Sequence, residues 1–194
     1  MEVLTAFARE NSLKRVAASM GGAESVPALA PDIQAILTVL GRRELSHEQP
    51  DKHLFLHGAR LCHSFLGNCN LSGAFLLGAD LCGSIMATVN LSSAVLVHAN
   101  LTKANLYTCD LNSALTTYAN LSGAKLIDTK LRKADLSNSN LTGAVFDRVD
   151  LRGADLTGAE GLTREQLASA KTDDKTKLPE YVQPAEPPKP VATS

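Results

Sequence analysis

Tryptophan is absent from this chain, and aromatic residues of all kinds make up only 4% of it. A conventional globular core relies on large aromatic side chains for much of its buried area. Hydrophobic residues nevertheless reach 44%, and they are mostly Leu and Ala, which suits many thin, similar layers better than one bulky core. Charge of one sign is also lacking. The formal net charge is −1, and residues 51–160 carry nine Lys/Arg against nine Asp/Glu. That balance excludes both the basic surface of a nucleic-acid binder and a strongly acidic rod. No apolar run approaches the ~20 residues of a membrane-spanning helix, and a signal-peptide core is missing from the N-terminus. The four cysteines, Cys62, Cys69, Cys82 and Cys109, form no CxxC pair and show no staple-like spacing. They read as free thiols in a reducing compartment. Together these features predict a soluble, cytoplasmic chain with no membrane segment of its own.

What is present is a period of five. Starting at Leu56 and stepping by five to Leu156 gives 21 positions, of which 18 are Leu and the others Met86, Thr116 and Phe146. Two residues before each centre the side chain is small: Ala at 12 positions, with Ser, Cys, Val or Thr at all the rest except Leu54. Five fits neither the 3.6-residue turn of a helix nor the two-residue pleat of a strand. It does fit a solenoid in which each pentapeptide forms one side of a four-sided coil. The large and the small residue of each block then point inward and interdigitate, and the other three point out. At the usual ~4.8 Å between paired strands, just over five coils make a rod about 25 Å long. Thr116 would place a hydroxyl inside, so a backbone carbonyl, an ordered water or a local bulge is expected beside it.

Blocks such as Ala99-Asn100-Leu101-Thr102-Lys103 and Ala154-Asp155-Leu156-Thr157-Gly158 resemble the pentapeptide repeat family. The resemblance implies an all-β solenoid, a right-handed quadrilateral parallel β-helix, over residues 51–161. It says less about activity, because one fold hosts many functions. Ahead of the repeat, residues 1–50 read as an α-helical segment. Pro31 opens a helix whose apolar stripe is Ile33, Ile36, Leu37 and Leu40, and Gly41 closes it. This stretch looks like the helical lead-in of many bacterial relatives. Behind the repeat, Thr163-Arg164-Glu165-Gln166 is a capping-box pattern that opens a short helix over 162–170, covering the end of the solenoid. Residues 171–194, polar and then Pro-rich, are expected to be a disordered tail.

Four-sided geometry turns spacing into location, because residues twenty apart stack in one outward column. Most residues before the central Leu are Asn or Asp, suited to local turn hydrogen bonds and hence structural. Cys62 and Cys82 share a column with His63 alongside. That is two thiols and one imidazole without a clear fourth metal ligand, and convergence of the two thiols between parallel strands is not expected. His57 and His98 share a face two coils apart, too far for joint acid–base work. No nucleophile–base set, phosphate-cradling loop or paired-carboxylate cleft is visible. No catalytic residue, metal or cofactor is therefore expected.

The departure from a polar exterior lies on one side. Phe55, Phe75, Val95 and Leu115 stand in one outward column, Leu77 and Val97 in the next, and the first column then turns to Asp135 and Asp155. A contiguous apolar face of this size is normally covered. The candidates are the N-terminal helices and another protein, including a second copy in a homodimer. The leading functional expectation is a non-enzymatic protein-interaction scaffold. The resemblance also raises a DNA-mimic role at type II topoisomerases, which needs an acidic rod that nine acids against nine bases do not make. A third reading is the soluble part of a membrane-associated system.

Overall fold

The computed structural model describes residues 53–182. The predicted N-terminal helices, with Ile33, Ile36, Leu37 and Leu40, and the Pro-rich end beyond 182 lie outside the described residues.

The stacking period is twenty residues throughout the repeat. Phe55 pairs in parallel with Phe75, Phe75 with Val95, Val95 with Leu115, Leu115 with Asp135 and Asp135 with Asp155. Three further columns, beginning at Arg60, Phe65 and Asn70, climb in the same way. Each coil therefore carries four bridging positions, one per pentapeptide. Extended strand is short for a simple reason: each side offers about one paired residue before the chain must turn. Among the described residues, only Lys125–Ile127 (β1) and Val145–Asp147 (β2) pair over three residues.

The turns explain the residue preferences outside the core. The third residue of each turn has positive φ, as at Gly58 (64°), Asn68 (61°), Gly123 (65°) and Asn138 (55°). The N–H of the next small residue closes most turns onto the central carbonyl, for example Ala104 N to Leu101 O at 3.0 Å. Left-handed backbone at this point is what a type II turn demands, hence the recurrence of Gly, although the coil geometry also imposes it on residues such as Thr88, Lys103 and Tyr118. Asn and Asp before the central Leu accept from the N–H two residues on. Asn90 Oδ1 accepts from Ser92 at 3.0 Å and Asp135 Oδ1 from Ser137 at 2.9 Å. As expected, these side chains build turns.

Inside, the large and small columns are filled as the spacing predicts. Leu56, Leu76, Leu96, Met86 and Leu136 are fully buried, and so are Ala74, Ala94 and Ala114. Thr116 is buried and donates from Oγ1 to the Asp135 carbonyl at 2.8 Å, meeting the expectation of a backbone partner. Thr129 donates likewise to the Leu106 carbonyl at 2.7 Å. Three inward hydroxyls, Ser64, Ser84 and Ser139, have no protein partner. An unsatisfied buried hydroxyl costs about 1–3 kcal/mol, and Ala104 and Ala124 already occupy the column of Ser84 on later coils. Ser84→Ala is therefore expected to stabilise the chain by about 1 kcal/mol in chemical denaturation. Destabilisation instead would mean that the hydroxyl is hydrogen-bonded to water.

The C-terminal end departs from expectation. The predicted helix is present as Arg164–Ser169 (α1), with the Thr163/Gln166 capping box formed. It is tied to the last coils by Gln166 Nε2 donating to the Ala144 carbonyl (2.6 Å) and Ser169 Oγ to the Phe146 carbonyl (3.1 Å). The disorder expected from 171 is not seen over residues 171–182. Lys171 pairs with Asp150 and Lys177 with Asp155 as further rungs. Leu178 packs on the core, Val182 is buried, and Tyr181 Oη bridges Leu162 N and the Ala159 carbonyl, both at 2.9 Å. The physical reason is the open edge. The last coil exposes unpaired backbone groups and bare Leu, and a polar segment ending in Leu178 and Val182 satisfies both. Among the described residues, no helix is long and apolar enough to cross a membrane.

Candidate functional site

The apolar face assembles as its spacing predicts. Phe55 and Phe75 stack with ring centroids 5.1 Å apart and planes inclined by 14°. His53 meets Phe75 edge-on at 5.2 Å. Above them Val95 and Leu115 continue the column through backbone pairing. Phe55, Leu77 and Leu115 are exposed at 39, 48 and 43%, and Phe75, Val95 and Val97 are half-buried. A column of this kind is held rigidly, because each residue sits on a rung bonded to the coils on either side, as in Leu76 N to Val95 O at 2.7 Å. Two features lie outside the predicted set. His98 stacks on Tyr118 at 5.2 Å, and Tyr118 is 55% exposed. This pair extends the face around its edge. Phe65 and Ile85 form a smaller exposed pair on the opposite side.

Beyond Leu115 the surface becomes charged, and several of its charges are paired with one another. Arg148 makes a two-pronged contact with Asp128 (2.7 Å each) and a third with Asp147 at 2.8 Å. Hydrogen bonding from Arg148 holds the Asp128 carboxyl below its ordinary value. Arg152 engages Asp150 at 2.6 Å and lowers it likewise, and Lys177 reaches Asp155 at 2.7 Å. These pairs neutralise Asp128, Asp147, Asp150 and Asp155 on the later coils.

The cysteines require a correction. Cys69 and Cys109 are buried and outside any disulfide, as their inward positions predict, and burial pushes the Cys109 thiol up to about 12. Cys62 and Cys82, expected to be free and not to converge, are joined as a disulfide with Cα atoms 4.6 Å apart. Parallel in-register stacking places equivalent residues one strand spacing apart, and that spacing falls within the disulfide range. This pairing removes the cysteine-based argument for a reducing compartment. The His63 ring lies beside the pair, and the three ligand atoms all fall within 4.8 Å of one another. Among the described residues this is the one such cluster of His, Cys, Asp and Glu.

A family model for pentapeptide repeats matches residues 56–87, 76–112 and 119–158 in eight copies. Among curated proteins no sequence matches. Similar solved structures include a trypsin-treated form of QnrB1, a plasmid-mediated fluoroquinolone resistance protein. It is 17% identical, with a TM-score of 0.39, over 66% of this chain and 82% of that one. HetL of the cyanobacterium Nostoc sp., involved in heterocyst differentiation regulation, is 27% identical with a TM-score of 0.31, over 65% of this chain and 70% of its own. Rfr23 of Cyanothece 51142 is 28% identical with a TM-score of 0.25, over 65% of this chain and 87% of its own.

Proposed function

This chain belongs to the pentapeptide repeat family, and on that premise we propose that it is a non-catalytic protein-interaction scaffold: a right-handed, four-sided β-helical rod that binds through one apolar side. The observation that carries this reading is the continuous face of Phe55, Phe75, Leu77, Val95, Val97 and Leu115, fixed by the coil-to-coil ladder. Stacked aromatics on a rigid support suit an interface, because they bury large area while little side-chain freedom is lost. The occupant favoured here is a second copy of the chain, meeting face to face about a two-fold axis so that each apolar column covers the other. A filled interior supports a non-enzymatic role, as does the use of the Asn and Asp columns in turns. The DNA-mimic alternative needs unpaired acids in phosphate-like rows, and Asp128, Asp150 and Asp155 instead face Arg148, Arg152 and Lys177.

The test is a solution mass measurement on the parent and on Phe75→Asp. The parent is expected to be a dimer at micromolar concentration and the variant a folded monomer whose midpoint no longer depends on protein concentration. A monomeric parent whose midpoint falls on substitution would overturn this reading, since the face would then be covered from within the same chain.

A further inference from the structure

Two outward thiol positions and one imidazole meet on the side of the first coils away from any role in the core. Cys62 and Cys82 are partly exposed, His63 is exposed, and their three candidate ligand atoms lie within 4.8 Å of one another. The seat of the imidazole is made by a missing side chain. At Gly83, one coil on from His63, a Cβ would lie 2.6 Å from the His63 ring Cε1 and 2.7 Å from Nδ1. The ring therefore rests over the Gly83 backbone, immediately beside Cys82. His63 itself has φ 56°, one of the left-handed turn positions, and this directs its side chain along the rod toward the next coil. Neither the turn nor the core requires an imidazole here, since the equivalent positions 123 and 143 are glycine.

We propose that Cys62, Cys82 and His63 form a redox-gated site for a soft monovalent d10 cation, Cu(I). Thiolate sulfur favours soft cations, and neutral imidazole is a compatible third donor. Three protein donors complete the shell of a cation content with three-fold coordination, whereas zinc on the same donors would need a fourth, non-protein ligand. The disulfide is the closed state, because both sulfurs are then used in the S–S bond. Opening requires a thiol reductant. Two reductant thiols deliver two electrons and two protons, the Cys62–Cys82 bond breaks to give two thiols, and the reductant becomes a disulfide. Cu(I) then displaces the two thiol protons to solvent and binds both thiolates with neutral His63. Cys109, fully buried with its thiol pushed up to about 12, does not compete for the ion.

The experiment is an anaerobic titration of the full chain with Cu(I) against a chromophoric Cu(I) chelator, before and after reduction with a phosphine that is then removed. The reduced chain is expected to take a single equivalent and the oxidised chain none. Cys62→Ser and Cys82→Ser should each lose that equivalent. His63→Ala should keep the stoichiometry at visibly weaker affinity while its disulfide still forms in air, which shows that the variant is folded. In parallel, bound Cu(I) should raise the thermal midpoint of the reduced parent and leave that of Cys62→Ser unchanged, because an ion that binds only the folded state stabilises it. Uptake that persists in Cys62→Ser, equal uptake by the oxidised chain, an affinity unchanged in His63→Ala, or no uptake by the reduced chain would each overturn the assignment. None of these outcomes depends on the scaffold's partner.

Discussion

Leu101→Ala is expected to lower the unfolding free energy by about 3–5 kcal/mol, the upper part of the range for a buried leucine. Leu101 is fully buried midway along the rod, with Leu81 and Leu121 at the same position on the adjacent coils. The cost of such a truncation depends on how far the surroundings can close the void. Here they cannot close it easily. Coil separation is set by backbone bonds above and below, Leu81 N to Asn100 O and Leu101 N to Asn120 O, both at 2.7 Å. Moving one layer inward would break those bonds along a whole side. Leu77→Ala is the matched control: at 48% exposure its loss should stay within about 0.5 kcal/mol in the monomer. Chemical denaturation of both variants measures the difference. A Leu101→Ala penalty no larger than that of Leu77→Ala would mean that the coil collapses to fill the space.

Reduction of the Cys62–Cys82 disulfide is expected to be the second-largest effect, about 2–4 kcal/mol for a closed loop of this length. The bond spans 20 residues, one full coil, near the N-terminal end of the described stack. It restrains the first turn of the solenoid, where a coil has a neighbour on one side of the described stack and depends most on a covalent tie. Opening the link restores to the unfolded chain the freedom that the loop removes, without cutting any core contact. Thermal melting with and without reductant, in the presence of a chelator, measures the loss. The Cys62→Ser/Cys82→Ser double variant should reproduce it and become insensitive to reductant. Equal midpoints for oxidised and reduced protein would show that the coil ladder alone holds this end.

Legibility from sequence differed sharply between interior and surface. The core register was readable residue by residue, because each coil repeats one local pattern: Leu or its substitute inward, a small residue inward two places earlier. Even the exception at Thr116 could be placed, since a hydroxyl inside must find a carbonyl, and it finds that of Asp135. The apolar face was legible for the same reason, as twenty-residue spacing maps directly onto a column. Its extension by His98 and Tyr118 was missed although both lie twenty apart; the signal was there, in the column two places after each centre. The capping helix was visible in Thr163 to Gln166. The segment behind it was not. Lys171 and Lys177 pair with rungs twenty-one and twenty-two residues back, off the strict period, so nothing in their spacing announced them.

Period and composition by themselves determined the repeat architecture, the inward and outward residues, the absence of a charged rod and the position of the apolar side. These follow from local rules applied twenty-one times over, and a local rule is written in the sequence. Only the tertiary structure decided that Cys62 and Cys82 meet, that His63 rests over Gly83 beside them, that the later carboxylates are neutralised by Arg148, Arg152 and Lys177, and that residues 171–182 complete the open end. Each of these depends on the distance and direction between side chains on different coils. That geometry arises from in-register stacking one strand spacing apart, a relation the chain acquires only once it has folded.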